Sequence, residues 1–280
     1  MPETTVNQDP VSSRPQPAKS ASKGPKWWEL FLTDLAGIYK FIVRFFKDLF
    51  RPPYEMKEVI NQCYIIGYKT LPLIAFTAFV GGIVFTRQSR PSLESFGAVS
   101  WLPSLVGVGI IRSLGPLIAG LIGAGKIASN IGAELGSMKV TEQIDAMEVS
   151  GTSPFTFLVI TRVLACSLML PLLVIFTDIL ALLGGFTSVY VSESTSFPLF
   201  WAEAFSTIKM EDIFASTLKS FLFGFAIGIV GCYKGFTSKK GTVGVGKAAN
   251  SAVVISMFMI FVIDLFTLQI MTLVRTLIYN

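Results

Sequence analysis

The sequence predicts an all-α integral membrane protein, and three of its features carry that prediction. Of its 280 residues, 52% are hydrophobic and only 15% are charged, with a mean hydropathy of +0.63. A soluble domain needs far fewer apolar residues per charge to fill one core. Several apolar stretches are also long enough to cross about 30 Å of hydrocarbon as helices. The 24 phenylalanines and 24 glycines suit helices that place aromatic rings against lipid and small residues against each other.

The N-terminal region divides into two predicted parts. Residues 1–26 are rich in Pro, Ser, Gln and Lys, so we expect a disordered cytoplasmic tail. Residues 27–51 place polar residues at helical spacing, which predicts an amphipathic helix in the membrane interface, with Trp27 and Trp28 among the headgroups. A helix packed on a soluble partner would have the same pattern. The apolar face comprises Trp28, Phe31, Leu35, Ile38, Ile42, Phe45 and Leu49.

Residues 55–280 are predicted to form a domain with five membrane-spanning helices. The second and third stretches exceed the length that a bilayer needs, so they either tilt or project into the cytoplasm. The predicted spans are 64–86, 102–133, 155–188, 213–233 and 248–274.

The positions of Lys and Arg outside the spans predict the orientation. The N-terminal region is basic, and residues 234–247 hold four lysines and no acidic residue, so both should be cytoplasmic. Residues 189–212 are mainly acidic and should face the other side. Arg87 and Arg90 weakly oppose this assignment. We therefore expect a multi-pass protein with a cytoplasmic N-terminus.

Several other functions are disfavoured by composition and spacing. The chain has no histidine, and its three cysteines show no CxxC spacing, so neither a metal site nor a histidine base is expected. Its basic residues are not interleaved with stacking aromatics, which argues against nucleic acid binding. Two segments resemble a phosphate-binding loop, but Ile127 and Ala248 stand where that loop needs Ser or Thr. No cofactor is therefore expected in this chain.

The central region combines a small-residue stripe with a short polar helix. Small residues recur every four positions at Gly120, Ala124, Ala128 and Gly132, which predicts close packing against another helix.

Further along, Thr141 can cap a short helix that Gly151 ends. On this helix Val140, Ile144 and Met147 form an apolar stripe, and acidic residues line another face. A solvated loop helix would fit this pattern equally well.

The run ELGSMKVTEQIDAMEVSGTSP at 134–154, within residues 115–165, and GVGKAANSAVV at 244–254 carry a family resemblance. They resemble the MlaE permease family, the membrane subunits of ABC lipid transporters that work with MCE-type carriers. The resemblance implies a homodimer in the bacterial inner membrane that moves phospholipids or similar hydrophobic molecules. It also implies an MCE-domain partner on the outer side and a cytoplasmic ABC ATPase that holds ATP and Mg.

In this resemblance residues 138–150 form a coupling helix that contacts the ATPase. Its expected contact residues are Glu142, Gln143, Asp145, Ala146, Met147 and Glu148. The stripe from Gly120 to Gly132 is expected to serve helix or dimer packing. Where the family commonly has an acidic residue after Arg112, this chain has Ser113.

Charged residues inside the spans are candidate functional residues, because each is expensive in hydrocarbon and is normally paired or functional. Lys69 is close enough to the span end to reach the headgroups. We predict that Arg112, Lys219 and Asp264 line the polar part of a lipid cavity near the dimer axis, as the resemblance supports. A structural ion pair is the alternative. Asp178 either joins them or braces the fold.

Phe258 and Phe261 are expected to contact acyl chains in this cavity or simply to face bulk lipid. Two other classes of function remain open from the residues alone. A secondary transporter would show internal repeats and broken helices, and an intramembrane enzyme would need a nucleophile beside a base.

Overall fold

The computed structural model describes residues 27–50, 55–193, 195–239 and 241–279. Every regular element of these residues is helical. The chain divides into two units, Met1–Gly37 and Ile38–Asn280. The predicted tail of residues 1–26 lies outside the described residues. The helices are α1 (Trp27–Leu49), α2 (Met56–Ser95), α3 (Leu102–Gly109), α4 (Gly115–Gly123), α5 (Ser129–Val140), α6 (Gln143–Val149), α7 (Thr161–Glu193), α8 (Phe197–Ser206), α9 (Met210–Phe236) and α10 (Thr242–Tyr279).

Five helical stretches of the described residues are long and apolar enough to cross a membrane, which confirms the predicted number. Four of them extend beyond their predicted bounds at both ends, and the third begins at its predicted start and extends only at its end. Arg90, expected in a loop, is still helical and pairs with Glu94 at 2.6 Å. From first to fifth, the spans are Met56–Ser95, Val99–Val140, Phe155–Ser192, Met210–Phe236 and Thr242–Leu277.

The first and third spans cross at a point where their backbones touch. A Cβ atom on Gly82 would overlap the backbone of Ala181, and one on Gly184 would overlap the backbone of Phe79. Only glycine allows this approach, which maximises dispersion contacts where no hydrophobic effect drives helices together. The two glycines therefore make the pairing of these spans specific.

The small-residue stripe of the second span packs inside the subunit. A Cβ on Gly120 would contact Phe223 and Ile260 of the fourth and fifth spans. At Gly132 it would contact the fifth span, and both Ala124 and Ala128 are fully buried. Within one subunit the stripe serves helix packing against spans of the same chain, and its part in a dimer contact stays a prediction.

From Ile38 onward, α1 packs on the third and fourth spans. Ile38 and Phe45 are buried, and the Phe45 ring lies 5.6 Å from the Phe225 ring. Next to these residues the helix exposes large apolar side chains such as Tyr39 and Phe46. These suit the membrane interface, whose contact with α1 stays a prediction.

A helix that the sequence pattern did not indicate lies between the third and fourth spans. In α8, Phe200 and Ala204 are buried. The Ser104 hydroxyl of α3 donates a hydrogen bond to the carbonyl oxygen of Glu203 at 2.9 Å. The residues expected as an acidic loop therefore fold back onto the start of the second span.

Candidate functional site

A cluster of charged side chains lies between the second, fourth and fifth spans. Arg112 belongs to a π-helical segment, Ile110–Leu114, that interrupts the second span. Such segments frequently accompany functional sites because they rotate side chains out of the regular helical order. Val140 ends this span 28 residues later, roughly 40 Å away along the axis. The cluster is therefore remote from the short helix α6.

Lys219 contacts both of the residues that it was predicted to meet. Its Nζ donates to Asp264 Oδ1 at 2.7 Å and to the carbonyl oxygen of Arg112 at 2.9 Å. Lys219 and Asp264 are both buried. The structure thus brings Arg112, Lys219 and Asp264 together, with Lys219 and Asp264 as a direct ion pair.

The Arg112 guanidinium instead faces Asp212, which the sequence pattern did not single out. Nη2 donates to Oδ2 of Asp212 at 2.9 Å, and Nε lies 2.8 Å from Oδ1. Arg275 pairs with the same carboxylate and lies 4.0 Å from Glu211. Asp212 therefore bridges two guanidinium groups from different spans.

The positions of Asp212 and Arg275 within their helices are two signals that could have identified them. Asp212 also accepts a hydrogen bond from the backbone N–H of Lys209 at 3.1 Å, a capping interaction at the start of the fourth span. Arg275 follows Asp264 by about three helical turns, so both lie on one face of the fifth span. Neither signal reveals which residue of the second span meets them.

A cavity of about 210 Å³ opens beside this cluster. Its wall combines partly exposed guanidinium groups with hydroxyls and apolar side chains, so it can hold an anionic group with an apolar part. The lining residues are Arg112, Asp212, Ala215, Ser216, Lys219, Thr267, Leu268, Met271, Thr272 and Arg275.

Phe258 and Phe261 do not line this cavity. Both are exposed on the fifth span, and neither is among the residues that line the cavity. Their expected place in a cavity with the charged residues is thus not found within one subunit. Asp178 also lies outside the cluster and lines a different cavity.

The short helix α6 begins one position later than the capping pattern predicts. The Thr141 hydroxyl donates to the carbonyl oxygen of Ser137 at 3.0 Å, so Thr141 ends the second span instead of capping α6. Glu142 is left-handed, with φ of 58°, and separates the two helices. The predicted helix 138–150 is therefore wrong at its start, since its first three residues continue α5.

One buried side chain, Ile144, anchors α6 to the core. Met147 is half-buried and packs on the same core. An ion pair of 2.7 Å joins Lys139 and Asp145 across the helix break. The other predicted contact residues are exposed, namely Glu142, Gln143, Asp145, Ala146 and Glu148.

An ion pair between a buried arginine and an exposed glutamate joins the helices on either side of α6. Arg162 donates to Glu134 at 2.8 Å and to the carbonyl oxygen of Leu158 at 3.1 Å. This links α5 to α7 directly. Arg162 lies inside the predicted third span, so its charge was the available signal. Among the described residues, no group of three or more Cys, Asp or Glu side chains could hold a metal ion.

Comparison with known proteins places this architecture in a family. The model of the family described as Permease MlaE matches residues 59–270. A probable ABC transporter permease protein of Rickettsia felis is 37% identical over 216 residues, covering 77% of this chain and 83% of the relative. One from Synechocystis is 33% identical over 75% of this chain and 80% of the relative, and one from Pyropia yezoensis is 30% identical over 85% and 89%. The chain therefore belongs to the MlaE permease family and is the permease subunit of an ABC transporter.

Proposed function

We propose that this permease moves phospholipids or similar hydrophobic molecules between the bacterial inner membrane and an MCE-type carrier protein. It works as a homodimer, with a cytoplasmic ABC ATPase that supplies the ATP and Mg. The observation that carries the proposal is α6. A short helix anchored by one buried residue presents a row of exposed carboxylates between two spans. An isolated helix of this length is marginally stable in water. That α6 is nevertheless helical fits a surface that binds a partner.

The mechanism is mechanical. Closure of the ATPases on ATP pushes α6, and the Arg162–Glu134 pair makes α5 and α7 move together. This motion tilts the second and third spans and changes the cavity at their other end. Such rigid-body motion is a common way to transmit a local push over a long distance.

The basic residues support a cytoplasmic position for α6 and hence for the N-terminus. The Arg44 guanidinium lies 4.3 Å from the centre of the Phe155 ring at the start of the third span. Lys239 lies in the connection between the fourth and fifth spans, and Lys247 lies near the start of the fifth span. The connection meets the end of α5, where Ser238 approaches Gly136. Positive charge on this side matches the rule that cytoplasmic segments carry excess Lys and Arg.

The opposite end offers the chemistry for a phospholipid. Arg112 and Arg275 can contact a phosphate, because guanidinium groups match its oxygens in geometry and charge. Phe258, Phe261 and Leu265 form an exposed apolar face on the fifth span that suits acyl chains or a second copy of the chain. The MCE carrier then receives lipid at this outer end, near α8.

Charge reversal on α6 tests the coupling. We expect the triple substitution Glu142→Lys, Asp145→Lys and Glu148→Lys to abolish co-purification of the ATPase, because three repulsive contacts replace attractive ones. Glu55→Lys is the matched control, since Glu55 is exposed at the start of the first span. It should leave the complex intact.

Proteoliposomes that hold the complete complex test the substrate. Transfer of labelled phospholipid to the MCE carrier should require ATP and should stop in the triple variant. Transfer that continues without the ATPase would support a secondary transporter instead. An intact complex in the triple variant would contradict α6 as the coupling helix.

A further inference from the structure

Asp178 lines a cavity of about 170 Å³ between the second, third and fourth spans and α8. Four of the lining residues, Ile175, Ile179, Phe205 and Ile213, are between 42% and 50% exposed. Because these residues are apolar and lie at the surface of the bundle, the cavity opens toward the lipid. It is separate from the arginine-lined cavity, although Ser216 borders both.

No cation in the part of the chain that the structure describes balances Asp178. Among the described residues it forms no ion pair, and no other lining residue of its cavity is ionisable. The charged residues of neighbouring elements at this end are engaged elsewhere: Arg112 pairs with Asp212, and Lys219 pairs with Asp264. The other charged residues described near this end are Arg87, Arg90, Glu94, Glu203, Lys209, Glu211 and Arg275, none of which lines the cavity.

Two hydroxyl groups in the cavity wall donate their hydrogen bonds to backbone carbonyl oxygens instead of to Asp178. Thr217 donates to the carbonyl oxygen of Ile213 at 2.9 Å, and Ser220 donates to that of Thr217 at 2.8 Å. Asp178 Oδ1 and Trp201 Nε1 are both buried without a hydrogen-bond partner among the described residues. An ionised carboxylate attracts such donors strongly. Donors that do not bond to Asp178 instead fit a carboxyl group in its neutral form.

We propose that Asp178 is a proton-binding site, whose carboxyl group is carried as the neutral acid and can be reached from the lipid. An unpaired carboxylate in an apolar environment is so unfavourable that the group takes up a proton instead. Asp178 then supplies an O–H donor in a lipid-facing cavity. This role is independent of the phospholipid substrate and of the ATPase.

An apolar carbodiimide tests this proposal on the full chain in lipid nanodiscs. Dicyclohexylcarbodiimide adds to a protonated carboxyl group: the acid proton moves to one carbodiimide nitrogen, and the carboxyl oxygen bonds to the central carbon. The adduct rearranges to a stable N-acylurea that retains every atom of the reagent. Peptide mass spectrometry should find this adduct at Asp178. The ion-paired Asp264 and Asp212 are internal controls and should remain unlabelled.

The Asp178→Asn variant should lose the adduct and keep the fold, because an amide has the size and neutrality of the acid. A second measurement needs no variant. In protein labelled with carbon-13 aspartate, the infrared spectrum should contain an isotope-shifted protonated-carboxyl band that moves further in D₂O. An unlabelled Asp178 together with only carboxylate bands would overturn the proposal.

Discussion

Two sets of ion pairs, near opposite ends of the second span, differ in which member is hidden: Asp212 is buried beside accessible arginines, whereas Arg162 is buried beside an accessible glutamate. The Asp212 side chain is 3% exposed, but its partners Arg112 and Arg275 are 35% and 32% exposed. At the other end Arg162 is 3% exposed and Glu134 is 53% exposed. The Asp212 pairs therefore present their positive members to the surroundings, and the Arg162–Glu134 pair presents its negative member.

This difference has a physical consequence for partners. An accessible guanidinium beside a hidden carboxylate can attract an anion such as a phosphate, because the hidden charge only holds the cation in place. Exposed carboxylates over a hidden arginine attract a basic surface in the same way. The contrast also predicts which member of each pair the fold needs most. Removal of the exposed partner leaves the buried charge unpaired.

The largest expected effect is at the Lys219–Asp264 pair, where both members are buried. Asp264→Leu should lower the free energy of unfolding by about 3–5 kcal/mol, because Lys219 is left as an uncompensated buried charge. The double variant Asp264→Leu, Lys219→Met should recover most of this loss. Thermal unfolding of the purified protein in detergent measures both. If the double variant also transports lipid at the normal rate, the pair is structural and contacts no headgroup.

A smaller effect should distinguish the members of the Arg162–Glu134 pair. Glu134→Ala should cost about 1–3 kcal/mol, since Arg162 loses its charged partner while buried. Arg162→Met should cost less, because it keeps an apolar stem and leaves Glu134 free to be hydrated. The same unfolding measurement compares them. Equal losses in the two variants would show that burial does not control the energetics at this end.

The smallest effect on stability is expected at the exposed Lys139–Asp145 pair. Asp145→Asn should change the free energy of unfolding by only about 0–1 kcal/mol, as is usual for ion pairs at the surface. It should nevertheless weaken ATPase co-purification, because it removes one exposed carboxylate of α6. A large stability loss in this variant would show that the pair holds α6 in place and that its charge is not kept for a partner.

The sequence predicted the meeting of Arg112, Lys219 and Asp264 for a sound reason. Charges inside apolar stretches must find partners, so three such residues at similar depth were expected to converge. The same reasoning could not identify Asp212 and Arg275 as members of the cluster. They lie near the ends of their spans, where a charge in the sequence fits water as well as a buried contact.

The small-residue stripe shows a second limit. Gly120 and Gly132 indicate that another helix comes close, but small residues carry no information about which helix that is. The fourth and fifth spans of the same chain occupy the stripe. Likewise, Thr141 indicated the cap of a short helix, but in the structure Glu142 takes the left-handed conformation and separates that helix from α5.

By itself the sequence determined the five spans, the polar interruption between the second and third, and the membership in a permease family. These follow from local properties, namely apolar length, helical periodicity and the run of residues in one motif. Only the tertiary structure decided which charges are hidden and which are exposed. Arg112 and Asp212 are 100 residues apart, so their contact depends on how the second and fourth spans pack, and packing depends on the whole chain at once.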